Sequence, residues 1–107
     1  MLKTDYNICR SPKSYNSQIG VPISVWQLNS HHTLAIFEAG ISEVGEMKIL
    51  ENIIKPSIGI LTSLGTAHDE GFASIDLKLK EKLKLFKHCD ITIINALSIN
   101  VNTSEVV

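Results

Sequence analysis

A carboxylate at position 38 and a histidine at position 68 are the residues of this sequence best placed to do chemistry. Glu38 follows directly on the apolar run 33–37, and His68 stands a few residues beyond the apolar run 58–61. Strand ends are where open α/β sheets bind their ligands. If the two strands are neighbours in a parallel sheet, both side chains reach one cleft. A carboxylate and an imidazole there could share a divalent cation. By ligand type that cation is Mn²⁺ or Zn²⁺, since Mg²⁺ prefers oxygen. The same two residues serve equally well as an exposed strand end and an ordinary loop histidine, and their spacing does not favour the metal. Asp69 and Glu70 could act as acid and base, or could simply complement the N-terminus of the next helix.

The elements that would hold these residues alternate along the chain. Residues 5–10 suit a short strand, which Pro12 ends by removing a backbone donor and biasing Ser11 away from helix. A polar stretch, 14–18, leads to Ile19, Gly20, Val21 and Pro22. Ile23, Val25, Trp26 and Leu28 then fit a short helix begun near Pro22, although their alternation also fits a strand. Asn29, Ser30, His31 and His32 read as a turn. The run 33–37 predicts a buried strand. Met47, Ile49, Leu50, Ile53 and Ile54 form one apolar stripe of a helix that Pro56 stops. Residues 57–61 predict another buried strand, and 74–87 a helix with Leu79, Leu83 and Phe86 on one face. That helix carries Lys78, Lys80, Lys82, Lys84 and Lys87, for which a solvated face is the default; Asp76 and Lys80 are spaced for a weak ion pair. Residues 90–95 give the last strand. Such alternation predicts an α/β fold, a mostly parallel sheet with flanking helices, in one piece over residues 1–107.

The bulk properties exclude several classes. A formal net charge of −1 offers no attraction to nucleic acid or an anionic membrane. No apolar run approaches the ~20 residues that span a bilayer, and the first residues form no secretory signal. Cys9 and Cys89 lack the spacing of a metal pair and read as free thiols. There is no Gly-x-x-x-x-Gly-Lys-Ser/Thr phosphate loop and no serine nucleophile elbow.

Longer stretches carry more information than single residues. Ser14 to Pro22 resembles the Asn-rich loop leading into an Ile-Gly-x-Pro helix in the central ATP-binding domain of the Mur ligases. Phe37-Glu38-Ala39-Gly40, with Gly45-Glu46 after it, resembles that family's Glu-x-Gly and Gly-Glu segments. Pro56 to Phe72 resembles its Pro-x-Ile-Gly-Ile strand and the following Ala-His loop. These motifs occur in the family's order with matching gaps, so the resemblance covers most of the chain. It implies a partial P-loop-type central domain and a cytoplasmic enzyme. It also implies an amide bond made through an acyl-phosphate, with ATP and Mg²⁺. Ala67 to Phe72 and Gly45-Glu46 favour the branch that joins D-alanyl-D-alanine to UDP-N-acetylmuramoyl-tripeptide. Arg10 to Asn16 resembles the version fused to an alanine racemase in some bacteria.

The resemblance also implies roles. Glu38 and His68 match metal ligands, and Lys82 matches the lysine the family carbamoylates. Asn16 matches a loop residue near the substrate and nucleotide phosphates. Ser63 stands where the family usually has a nucleotide-contacting Asn, and Ala96-Leu97-Ser98 replaces an acidic continuation. The family's phosphate loop and its N- and C-terminal domains are not in these 107 residues. The expectation is therefore a fragment without ATP binding or ligase activity of its own. Its open sheet edges would favour self-association. A non-catalytic interaction module derived from such a ligase is the alternative.

Overall fold

The structure, a computed structural model, describes residues 1–65 and 71–95. His68, Asp69, Glu70 and the tail from Ala96 lie outside the described residues. The described chain runs β1 (Ile8–Arg10), α1 (Gly20–Trp26), β2 (Leu34–Ile36), α2 (Glu46–Ile54), β3 (Ile58–Leu61), α3 (Ile75–Leu83) and β4 (Ile91–Ile94). A 3₁₀ turn, Lys84–Phe86, extends α3 towards β4. Of the two forms open to the stretch after Pro22, the helix is the one adopted, but it ends at Trp26 and leaves Leu28 outside. Pro22 sits in its first turn, where a missing N–H costs no intrahelical bond. Ser17 Oγ accepts from the Gly20 amide at 3.2 Å and helps to cap it. Helix α2 ends at Lys55 in the left-handed region, one residue before Pro56. Helix α3 starts at Ser74, whose Oγ accepts from the Leu77 amide at 3.1 Å.

Both strand pairs are parallel, as βαβ crossovers require. The sheet is nonetheless in two pieces. Ile8, Cys9 and Arg10 pair with Leu34, Ala35 and Ile36. Ile58 to Leu61 pair in register with Ile91 to Ile94. Among the described residues β2 and β3 are thus not hydrogen-bonded neighbours. The strand ends that carry Glu38 and the His68 loop belong to different pairs.

Two apolar clusters hold these layers. Val21, Ile41, Met47 and Leu50 pack between α1 and α2, with Phe72 and Leu85 against them. Leu61, Leu64 and Leu79 pack with Leu83, Phe86 and Ile94, so the predicted apolar face of α3 lies on the β3–β4 pair. Gly59 is needed there: a Cβ at that position would lie 2.2 Å from Phe86 Cδ1. The prediction of buried strands fails on the other face. Ile58, Ile60, Ile91 and Ile93 are 53–62% exposed. α3 and its 3₁₀ extension cover one face only, and strand alternation aims these isoleucines at the other.

Candidate functional site

The loop after β1 brings Asn16 to the end of β2. The Asn16 carbonyl accepts from the Gly40 amide at 2.7 Å, and its Nδ2 donates to Glu38 Oε1 at 3.1 Å. The Glu38 amide in turn donates to Ser11 Oγ at 3.0 Å. The predicted site residues Asn16 and Glu38 are therefore in direct contact, and Gly40 is small because the Asn16 amide lies against it: an added Cβ would stand 2.9 Å from Nδ2. Glu38 is exposed, with a carboxylate open to a ligand.

The next turn is fixed by Glu46. Its Oε2 accepts from the amides of Ser42 at 2.6 Å and Glu43 at 2.9 Å. Its Oε1 accepts from Gln18 Nε2 at 2.9 Å, which ties the turn back to the Asn16 loop. Partial burial works to raise the Glu46 carboxyl, but the Ser42 and Glu43 amides and the Gln18 amide outweigh it and hold the group below the usual carboxylate range.

The loop that carries His68 is anchored at both described ends. Leu64, near its root, is part of the β3 core cluster. Its exit passes the Ser42 turn so closely that a Cβ on Gly71 would meet the Ser42 carbonyl oxygen. The segment after β3 therefore returns to the segment after β2, although the two strands do not pair. Ser63 is exposed on this loop. His68 lies outside the described residues, so its distance from Glu38 is not part of this geometry. Among the described residues no three His, Cys, Asp or Glu side chains are grouped to hold a metal.

Helix α3 supplies the remaining candidates, and here the solvated-face expectation is wrong for one lysine. Lys78 is 1% exposed, and its Nζ donates to the Gly65 carbonyl at 3.2 Å. Glu81 is equally buried and accepts from the amides of Gly45 at 2.7 Å and Met47 at 3.2 Å. It thus caps α2, whose own N-cap, Gly45, has no side chain to do so. Lys84 Nζ also donates to it, at 2.6 Å. Burial would raise the Glu81 carboxyl, yet these partners hold it low. Lys82 is half-buried; burial first, and then the Lys78 charge, push its ammonium below the ordinary range. Asp76 and Lys80 do not pair with each other; Lys84 pairs with Glu81, and His88 Nδ1 lies 2.8 Å from Glu51 Oε1. His31 and His32 form the predicted turn, in which the Asn29 amide donates to His32 Nδ1 at 3.1 Å. Cys9 and Cys89 are free thiols.

Residue spacing alone missed Lys78, Glu81 and Gln18. Gly45-Glu46 stands out as a motif in the sequence, but the part Glu46 plays in fixing the turn before α2 appears only with the fold.

The fold is a parallel α/β scaffold with the candidate side chains Asn16 and Glu38 at one strand end. Residues 1–103 match the Mur ligase middle domain, and the chain belongs to that family. It is similar to the UDP-N-acetylmuramoyl-tripeptide–D-alanyl-D-alanine ligase of Borreliella burgdorferi, 33% identical over 99 residues, which are 92% of this chain and 21% of that protein. The corresponding ligase of Synechocystis is 36% identical over 83 residues, 77% of this chain and 18% of that one. Among solved structures, MurF from Acinetobacter baumannii shares the fold with a TM-score of 0.80 at 24% identity, over 87% of this chain and 21% of that chain. The chain thus spans about a fifth of the length of these relatives. No helix among the described residues is long and apolar enough to cross a membrane.

Proposed function

We propose that this chain is the metal- and phosphate-facing part of a cytoplasmic, ATP-dependent ligase of peptidoglycan precursor synthesis. The parent enzyme joins D-alanyl-D-alanine to UDP-N-acetylmuramoyl-tripeptide, as the names of its relatives state for themselves. The observation that carries this reading is the Asn16–Glu38 hydrogen bond. It joins two residues from separate family motifs at one strand end. Glu38, His68 and a carbamoylated Lys82 would hold Mg²⁺, and Asn16 and Ser63 would face the nucleotide and substrate phosphates. The described residues fit such a cation in donor chemistry: an exposed carboxylate oxygen beside an amide suits a hard ion. When bound, Mg²⁺ would neutralise charge between the acceptor carboxylate and the transferring phosphoryl group. The chain's own residues orient that site. Asn16 fixes one Glu38 oxygen, and Glu46 fixes the turn beside it.

In this reading residues 1–107 are part of a larger central domain, and the nucleotide's phosphate loop comes from elsewhere in the parent, which resembles the racemase-fused form. The isolated chain then neither binds ATP nor ligates. It does self-associate, through the four exposed isoleucines of the β3–β4 pair.

The test is Mn²⁺ titration, with Mn²⁺ standing in for Mg²⁺, of the chain and of its Glu38→Ala and His68→Ala variants, alongside an ATP-dependent ligation assay. Binding that both substitutions abolish, with no ligation, is expected. Binding that neither substitution changes refutes the site, and turnover by the isolated chain refutes the fragment reading.

A further inference from the structure

Helix α3 buries two opposite charges one turn apart, Lys78 and Glu81, each 1% exposed. Burial of such groups costs several kcal/mol unless partners compensate, so a leucine or methionine would fill this core more favourably. Both side chains reach backbone of other segments. Lys78 Nζ donates to the Gly65 carbonyl, at the described root of the His68 loop. Glu81 accepts from the Gly45 and Met47 amides, which open α2. From Gly45-Glu46 the bonds continue through Gln18 to the Asn16 loop, and Asn16 holds Glu38. The two loops also meet directly where Gly71 lies against Ser42.

We propose that Lys78 and Glu81 are positioning residues for the metal site. From one helix they set the chain just after β3, up to Gly65, and the turn opening α2, and with that turn Glu38 relative to Lys82 on the same helix. Apolar packing is non-directional, whereas charge-assisted hydrogen bonds to backbone fix both distance and orientation. This inference rests on the metal-site reading above.

The experiment titrates Mn²⁺ into the 107-residue chain and into Glu38→Ala, Lys78→Met and Glu81→Gln variants, well below the melting transition of each. Lys78→Met keeps most of the unbranched side chain and removes its charge. Glu81→Gln keeps an oxygen for the two amides and carries the test if Lys78→Met does not fold. The expected result is Mn²⁺ affinity lost in Glu38→Ala and weakened about 10- to 100-fold in the other two. A purely structural role lowers the melting temperature and leaves the affinity of the folded protein unchanged. That outcome overturns the inference and leaves the metal site standing. If the unaltered chain does not bind Mn²⁺, or Glu38→Ala binds as well as it does, the metal site falls and the inference falls with it.

Discussion

Replacing Glu81 by alanine tests whether α2 is held from α3. The carboxylate accepts from two amides in the first turn of α2, and Met47, which gives one of them, is itself buried. Loss of an N-cap costs about 1 kcal/mol, and hydrogen bonds to a charged group contribute about 1.5–3 kcal/mol. The alanine variant also escapes the desolvation of a buried carboxylate, which offsets part of this loss. Lys84 adds little, because its side chain is about half exposed and such pairs contribute roughly 0–1 kcal/mol. The net expectation is a loss of about 2–3 kcal/mol, or roughly 10–15 °C in melting temperature for a domain of this size. The pH dependence makes the test specific. The folded carboxyl titrates below its ordinary value of 4.5. Its stabilisation is therefore complete above that value and fades as pH falls through the folded pKa. Urea unfolding of both proteins between neutral and strongly acidic pH should show a gap that is constant near neutrality and closes in acid. A gap smaller than about 0.5 kcal/mol at pH 7, in the range of an ordinary surface change, refutes the capping argument. So does a gap that acid leaves unchanged.

Two further outcomes follow from packing. Gly59→Ala drives a Cβ into the Phe86 ring and should cost about 1–3 kcal/mol; adding Phe86→Leu should recover part of that cost, and additive losses in the urea midpoint would contradict the clash. Ile60→Lys with Ile93→Lys places two charges on the exposed face of the β3–β4 pair. Sedimentation should show the unaltered chain associating at high concentration and the variant monomeric, with stability changed by no more than about 0.5 kcal/mol per site; a monomeric parent chain would remove the association.

The elements were legible because local rules decide them. Pro56 stops α2, Ser74 starts α3, and the stripes of Met47–Leu50 and Leu79–Leu83 face the cores. Burial of the strands was not legible. Ile58 and Ile60 have the composition of a doubly covered strand, but composition cannot say whether a second layer is present. Part of the candidate site was legible for the same reason as the elements. Asn16 and Glu38 each sit in a local motif, and a parallel β1–β2 register brings their loops together. Lys78 and Glu81 gave no such signal. In a run of alternating lysines, Lys78 looks like Lys80, and its burial beneath the Gly65 carbonyl appears only in the fold. A buried charge is recognised by the backbone atoms it meets, and those lie 13 residues away for Lys78 and 36 and 34 residues away for Glu81. The directional bonds that hold the candidate site come from contacts of this kind, whose partners sequence spacing does not name.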